Sequence, residues 1–149
     1  MQDRRSFLGS GVALVAVSAN AYATEAQQAS PIQNLGQGTM TLEDCIKDCL
    51  DSHGMCLATA RYCMEKGGNH VSAAHLALLL DCAEMCQTTA NSLLRRSPQH
   101  TVVCDACARL CDACARECEA MPADKRMQQC AATCRTCAQS CRHMTMMPH

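Results

Sequence analysis

Five cysteines between residues 104 and 118 follow one another at separations of 3, 4, 3 and 4 residues. They are Cys104, Cys107, Cys111, Cys114 and Cys118. This alternation is the spacing of the inward-facing seam of an α-helix in a bundle, where leucine usually lies. The spacing therefore predicts a helix that points five thiols along one line into a protein core.

A second stretch near the C-terminus has the same periodicity. Its seam has gaps of 3, 4, 3, 4 and 3 residues and consists of Met127, Cys130, Cys134, Cys137, Cys141 and Met144. Polar residues such as Gln128 and Arg135 fall away from that line. The sequence thus predicts two helices whose inner faces are made almost entirely of sulfur-containing side chains.

Two further helices precede these. Thr41 is a suitable N-cap for the first, which is predicted to run to about Lys66 and to end at Gly67–Gly68. Ser72 can cap the second, which is predicted to run to about Arg96. The seam of the first carries Cys45, Cys49, Cys56 and Cys63, and that of the second carries His75, Leu78 or Leu79, Cys82, Cys86 and Leu93.

The third helix is predicted to begin at Pro98, because proline is well tolerated at the first helical position. The fourth is predicted to begin between residues 122 and 124 and to end before Pro148. Four helices of similar length joined by short turns favour an all-α fold, an antiparallel up-down-up-down four-helix bundle. Its core would be lined with cysteine over residues 41–146.

Antiparallel order determines which seam residues meet. It places Cys45, Leu93, Cys104 and Cys141 near one end and Cys63, His75, Cys118 and Cys130 near the other. The middle layers would contain Cys56, Cys82, Cys86, Cys111, Cys114, Cys134 and Cys137. All 15 cysteines of the chain would then form a continuous column of thiols along the bundle axis.

Histidine and methionine gather at both ends of this column. We interpret them as candidate port ligands, with Met40, His100, His143 and Met144 at one end and His75, Met121 and Met127 at the other. The remaining histidines, His53, His70 and His149, are assigned to the surface. Asp105, Arg109, Asp112 and Arg116 are expected to form a solvated face with pairs four residues apart.

Residues 1–23 have the features of a targeting segment. Arg4-Arg5-Ser6-Phe7-Leu8 is a twin-arginine motif, an apolar run follows, and Ala21-Tyr22-Ala23 is a small-residue cleavage site. The apolar run is too short to serve as a permanent membrane anchor. Residues 24–40 are predicted to be a flexible linker. We therefore expect export by the twin-arginine machinery to the periplasm or another extracytoplasmic space.

Composition narrows the classes of function. A net charge of −1 gives no reason to expect nucleic acid as a partner. The odd number of cysteines, 15, leaves at least one thiol unpaired in any disulfide scheme. No pairing of a nucleophile with a base is apparent, so the chain is not expected to be an enzyme.

Two purely structural roles could account for the cysteines. Cysteine can act as a small buried hydrophobic residue, but a bundle cored with it would be underpacked. An exported, cysteine-rich chain can also be a disulfide-stabilised module. Such folds are rich in loops, whereas these cysteines all lie in helical register. The disulfide module remains the alternative from outside the metal-binding class.

Several cofactor motifs do not fit. No Cys-x-x-Cys is followed by histidine, as covalent haem attachment requires. Thioredoxin-like chemistry needs a βαβ context, and ferredoxins use a different cysteine spacing on loops. Di-iron bundles use Glu-x-x-His pairs, which this sequence lacks. What remains is metal held by many thiolates.

Softness and charge select the metal. Thiolates favour copper(I), zinc or cluster iron. Zinc held by four thiolates carries a net charge of −2, and several such sites in one apolar bundle would be costly. Copper(I) with about one bridging thiolate per ion is neutral. The sequence therefore favours several Cu(I) ions per chain, with a zinc or heavy-metal sink as the alternative.

The two cysteine ladders resemble those of the copper storage protein family. The similarity covers residues 41–146 and rests on Cys104-x2-Cys107-x3-Cys111-x2-Cys114-x3-Cys118 and Cys130-x3-Cys134-x2-Cys137-x3-Cys141. The resemblance implies a four-helix bundle that stores copper(I) on all its seam cysteines. It also implies homo-oligomers and, because of the twin-arginine leader, storage outside the cytoplasm.

Overall fold

The computed structural model describes residues 40–147, and this part of the chain is all-α. Its four helices are α1 (Leu42–Lys66), α2 (Ala73–Leu94), α3 (His100–Glu119) and α4 (Lys125–Thr145). A short 3-10 turn, Gly68–Val71, connects α1 to α2. The predicted helix count and fold class are confirmed. The leader, residues 24–39 of the linker and His149 lie outside the described residues.

The caps predicted at Thr41 and Ser72 form, and Asp124 supplies a further cap. Thr41 and Asp44 make a reciprocal capping box at the start of α1, with the Thr41 side chain accepting from the Asp44 backbone N–H. Ser72 accepts the N–H of His75 at the start of α2. Asp124 accepts two N–H groups of the first turn of α4. These caps satisfy donors that the helix itself leaves unpaired.

The predicted junction between α2 and α3 is wrong by two residues on each side. Arg96 adopts a positive φ of 49°, and the Ser97 N–H bonds back to the Ser92 carbonyl at 3.1 Å. This is the 6→1 bond of a Schellman ending, a role usually signalled by glycine. α2 therefore ends at Leu94, and Pro98 lies in the turn before α3.

Cross-helix contacts establish the antiparallel order. Pairs between α1 and α4 keep a nearly constant sum of residue numbers, as antiparallel neighbours must, and so do pairs between α2 and α3. The α1–α4 pairs are Cys49–Cys141, Cys56–Cys134 and Cys63–Met127, and the α2–α3 pairs are Cys82–Cys111 and Cys86–Cys107. Each helix packs against two others, so the bundle has a square cross-section with a central axis.

Every helix turns a seam with 3–4 spacing toward that axis. All 15 cysteines lie on these seams and are at most 1% exposed. The other buried seam positions carry Ser52, Thr59, His75, Leu79, Thr89, Leu93, His100, Met127 and Met144. Of the two leucines considered for α2, Leu79 is the buried one.

Small residues flank the cysteine seams. They are the buried alanines Ala60, Ala83, Ala90, Ala108, Ala115, Ala131 and Ala138. Without bulky side chains at these positions the helices can approach closely, which compensates for the small volume of cysteine. This is how the bundle avoids the underpacked core that cysteine alone would produce.

The face between α3 and α4 is charged, but its pairing differs from the prediction. Asp105 and Arg109 do pair at 3.1 Å along α3. Asp112 instead receives Arg135 at 3.1 Å and Arg142 at 2.7 Å from α4. The expected pairing of Asp112 with Arg116, four residues along α3, was therefore wrong, because two arginines of α4 reach the same carboxylate.

Candidate metal centre

The cysteines form a closely spaced column of free thiols. The closest pair of Sγ atoms, Cys86 and Cys111, is 3.4 Å apart, and other close pairs extend to 4.0 Å, as between Cys56 and Cys114. These separations are well beyond the length of a disulfide bond, which is about 2.05 Å. They are the separations at which one ion can sit between two sulfur atoms.

Four groups of thiols place their sulfur atoms within 4.8 Å of one another, and every member is buried. The groups are Cys45–Cys104–Cys141, Cys49–Cys107–Cys137–Cys141, Cys86–Cys107–Cys111–Cys137 and Cys56–Cys114–Cys130–Cys134. Each four-membered group draws cysteines from at least three helices. The antiparallel packing therefore assembles sites that no single helix contains.

Three of these groups share members. Cys141 belongs to the groups of Cys45 and Cys49, and both Cys107 and Cys137 belong to the groups of Cys49 and Cys86. A shared thiolate can bridge two metal ions, so these three groups constitute one continuous ligand set. The fourth group, around Cys56, shares no cysteine with the others.

Ser52 lies where the two parts of the column meet. Its side chain is fully buried, with Oγ 3.9 Å from the Cys111 sulfur and 3.7 Å from the Cys134 sulfur. Ser52 was not predicted to belong to the column. The signal was present: residues 49, 52 and 56 continue the 3–4 alternation of α1. A hydroxyl thus occupies a ligand position of the ladder.

At one end of the column three different donors converge. The Cys63 sulfur lies 3.6 Å from His75 Nε2 and 3.9 Å from the Met127 sulfur. His75 is 2% exposed and Met127 is fully buried. Met121, also assigned to this end, is half-buried against the core. The structure thus brings His75 and Met127 to a thiol, as expected of soft ligands.

Burial lowers the pKa of His75, so its imidazole is neutral at physiological pH and has a lone pair available. Its Nδ1 is buried and, within residues 40–147, has no hydrogen-bond partner. Burial also raises the pKa of the Cys63 thiol. This end therefore holds a neutral histidine beside a protonated thiol, and a metal ion must displace the thiol proton.

The candidate ligands at the opposite end are buried to different degrees. His100 is 8% exposed and Met144 is 2% exposed, whereas Met40 and His143 are half-buried. His100 Nδ1 lies 3.2 Å from the Ser97 carbonyl oxygen. The buried Nε2 of His143 has no hydrogen-bond partner in the described part of the chain. Met40, which the sequence placed in the linker, packs against the core.

Thiol protons are unevenly held inside the column. Hydrogen bonds with Cys111 and Cys137 lower the pKa of Cys107. The same bond with Cys107 is the largest cause that raises the pKa of Cys111. One thiolate can thus be stabilised by the thiols around it, but a second charge beside it is disfavoured. Only a bound cation permits neighbouring thiols to ionise together.

Asp124 organises the surface at the Cys63 end and was not anticipated. Its carboxylate accepts from Tyr62 Oη at 2.9 Å, from the Lys66 ammonium and from His70 Nε2 at 3.0 Å. The bond from Lys66 is the main reason that the pKa of Asp124 lies below its usual range. This cluster ties α1 and the 3-10 turn to the N-terminus of α4, next to Met127.

Two histidines assigned to the surface are in fact half-buried. His70 belongs to the Asp124 cluster, with 14% of its side chain exposed. His53 Nδ1 lies 3.0 Å from the Ala83 carbonyl oxygen across the α1–α2 contact. Both assignments were wrong because polar partners on neighbouring elements, invisible in the local sequence, draw these rings inward.

Comparison with known proteins agrees with a metal-binding role for the thiol column. Residues 39–146 match a family model described as copper storage protein. A crystallised protein of Nitrosospira multiformis is 45% identical with a TM-score of 0.66, over 70% of this chain and 94% of that chain. No curated protein matches the sequence.

Two solved structures have names that state what they are. The Cu(I)-bound copper storage protein BsCsp3 is 32% identical with a TM-score of 0.65, over 69% of this chain and 96% of that chain. The apo form of copper storage protein 3 from Bacillus subtilis is 33% identical with a TM-score of 0.63, over 70% of this chain and 99% of that chain.

Proposed function

Because the chain belongs to the copper storage protein family, we propose that it stores several copper(I) ions on the thiolates lining its bundle core. The observation that carries this proposal is the set of four buried thiol groups, three of which share members. Contiguous bridging thiolates allow two sulfur ligands per ion at about one thiolate per copper. Similarity to a Cu(I)-bound relative supports the choice of ion.

Charge supports copper(I) over zinc. Each copper(I) ion replaces one thiol proton with one positive charge, so the loaded core stays neutral. Zinc sites with four thiolates would each retain a charge of −2. Among the described residues, no aspartate, glutamate, lysine or arginine belongs to the buried core, and Asp124, whose side chain is 8% exposed, is already paired with Lys66, so no spare counter-charge lies beside the thiols. A zinc-filled core would therefore carry an uncompensated charge in an apolar interior.

The mixed donors at the column ends would serve transient binding. A histidine nitrogen or methionine sulfur is neutral and binds copper(I) without losing a proton. His75 and Met127 lie beside Cys63 at one end, and His100 and Met144 are buried at the other. An ion on such ligands would keep its single positive charge until it passes to a thiol, which loses its proton and becomes a neutralising thiolate.

The proposal includes export, assembly and the absence of catalysis. Arg4-Arg5-Ser6-Phe7-Leu8 and the Ala21-Tyr22-Ala23 site support a twin-arginine leader and a periplasmic store. The resemblance described above supports a homo-oligomer and a role in storage rather than in catalysis. Within residues 40–147 no helix is long and apolar enough to cross a membrane.

Metal titration tests the storage function. Reduced protein without its leader is titrated with copper(I) against a strong chelator, and bound metal and free thiols are counted. We expect saturation near one copper per thiol. Saturation well below about one copper per two thiols would refute storage. A zinc preference near one ion per four thiols would favour a general metal sink. Protein purified anaerobically without free thiols would favour a disulfide module.

Localisation needs a separate experiment. We expect the chain to appear in the periplasmic fraction and to remain in the cytoplasm when Arg4 and Arg5 are both replaced by lysine. Replacement of Arg61 and Arg95 by lysine is the matched control, because it preserves the leader. Periplasmic protein from the Arg4/Arg5 variant would contradict the twin-arginine route without affecting the storage proposal.

A further inference from the structure

Of the three connections between helices within residues 40–147, two lie at the Cys63 end of the thiol column. The 3-10 turn Gly68–Val71 leads from α1 to α2, and residues 120–124 lead from α3 to α4. In an antiparallel bundle both connections cross the same end. Behind them Cys63 and Met127 are fully buried and His75 is 2% exposed. The last donors of the column are therefore closed off from solvent at the point where the two connections meet.

A single carboxylate joins these two connections. Asp124 Oδ2 accepts from Tyr62 Oη at 2.9 Å and from the Lys66 ammonium, both in the last turns of α1. The same oxygen lies 3.0 Å from Nε2 of His70, in the 3-10 turn. The other oxygen, Oδ1, caps the first turn of α4. We call the contacts of Asp124 Oδ2 with Tyr62, Lys66 and His70 the Asp124 latch.

The 3-10 turn that the latch holds is weakly packed. No residue of the turn is buried. Gly67 and Gly68, where the chain leaves α1, have φ angles of 73° and 60°, a region that glycine enters without steric cost. A Cβ added at either position would meet no atom within 4 Å. Such a turn can swing about its glycines when its bond to Asp124 is released.

A cavity of about 240 Å³ lies beside the latch, among the residues of the two connections. Its lining contains no cysteine and consists of Lys66, His70, Met121, Pro122, Ala123 and Asp124. The thioether of Met121 is a soft ligand suited to copper(I). Soft ligands are thus found on both sides of the latch, with Met121 in the cavity and Cys63 and Met127 in the core.

We propose that the Asp124 latch is a gate that controls the passage of copper(I) through the Cys63 end of the column. When Asp124 Oδ2 leaves Lys66 and His70, the 3-10 turn and residues 120–124 separate and connect Cys63 with the cavity at Met121. The ion passes by ligand exchange and remains copper(I), and the Cys63 thiolate takes up a proton as the ion leaves. The inference rests on the proposed storage function. It adds a residue that sets the rate of copper exchange and not the amount held.

Two variants open the latch with opposite changes of charge. Asp124→Asn removes a negative charge and preserves the helix cap, because asparagine caps as well as aspartate. Lys66→Gln removes a positive charge. Partly copper(I)-loaded protein is mixed with excess bicinchoninate, an anionic copper(I) chelator, and copper removal is followed by absorbance. We expect both variants to lose copper about tenfold faster than the wild type at unchanged capacity, because charge-assisted hydrogen bonds hold the closed form.

Opposite shifts of the rate in the two variants would show that local charge governs release, and would overturn the proposal, as would wild-type rates in both. The matched control is Asp112→Asn. Asp112 also accepts from two cations, Arg135 and Arg142, but it lies on the side of the bundle between α3 and α4. This variant should release copper at the wild-type rate. Equal acceleration in Asp112→Asn would mean that any lost ion pair loosens the bundle, which contradicts a gate at Asp124.

A second measurement needs no copper. The reduced apo-protein is treated with iodoacetamide, and peptide mass spectrometry follows the alkylation of Cys63 and Cys111. We expect alkylation of Cys63 to be about tenfold faster in both latch variants and that of Cys111, in the middle of the column, to be unchanged. An equal increase at Cys111 would overturn the proposal, because the whole bundle would then open. A chain that does not store copper would fail the metal titration but would still give the expected result here.

Discussion

Replacing Ser52 with cysteine should complete the ligand ladder of α1. The Ser52 hydroxyl lies 3.9 Å from the Cys111 sulfur and 3.7 Å from the Cys134 sulfur. Those distances fall within the 3.4–4.0 Å range of the closest thiol–thiol contacts in the column. A sulfur at residue 52 would therefore join the group around Cys56 to the group that contains Cys111.

The expected gain is one ligand and about one copper(I) ion above the 15-thiol wild type, since the neutral stoichiometry is about one ion per thiolate. Folding should change little. The substitution exchanges a weak hydroxyl–sulfur contact for thiol packing, an effect within about 1 kcal/mol of the free energy of unfolding. The variant should also load its final ions with steeper cooperativity, because the bridge at residue 52 connects two formerly separate groups.

Native mass spectrometry, which resolves each added copper ion, provides the assay. Ser52→Ala is the first control and should retain wild-type capacity, because it removes no thiol. Ala132→Cys is the second, since it adds a thiol at an exposed position of α4, and it should gain no tightly held copper. Equal capacities for Ser52→Cys and wild type would refute the reasoning. An equal gain in Ala132→Cys would show that thiol number, and not membership of the column, sets capacity.

Three further predictions concern the column and its Cys63 end. Cys111→Ala should lower copper capacity by at least one ion, because the Cys111 sulfur contacts Cys82, Cys86 and Cys107. The free energy of unfolding should change by only about 1 to 2 kcal/mol. Denaturant unfolding and metal counting measure the two quantities, and loss of helix with full copper capacity would contradict this prediction. The pKa of Asp124 is lowered in the folded state, so its contribution to stability is present above about pH 4 and is lost as the pH falls further. Asp124→Asn should therefore show a smaller drop in melting temperature between pH 5 and 3 than the wild type. Equal drops would refute the role assigned to Asp124. Burial lowers the pKa of His75, so below about pH 6.5 the unfolded chain binds a proton that the folded chain does not. The stability of the wild type should therefore fall below that pH, and the stability of His75→Leu should fall less. Thermal melts across pH 5 to 8 measure the difference.

Residue spacing was sufficient to predict most of the fold. A 3–4 alternation can place its members on one line only in a helix, so the seams of α3 and α4 followed from the positions of the cysteines alone. Thr41, Ser72 and the Gly67–Gly68 pair marked helix ends through local hydrogen bonding and backbone conformation. The turn at Arg96 was missed because a non-glycine residue takes the left-handed conformation there.

Residue spacing could not predict which thiols come together in one metal site. Sequence indicated which residues face inward but not how far one helix is shifted along another. That shift decides that Cys107 and Cys137 belong to two groups and that the group around Cys56 stands apart. It also decides that Asp112 pairs with α4 and that Asp124 receives Lys66 and His70.

The sequence by itself determined that a helical core of thiols forms, because periodicity and the softness of sulfur are properties of the chain alone. Tertiary structure decided which thiols can share an ion and brought His75 and Met127 to 3.6 Å and 3.9 Å from the Cys63 sulfur. The physical reason is that coordination depends on distances of a few ångströms between different helices. Those distances are set by side-chain packing across the bundle, where small alanines allow the helices to approach.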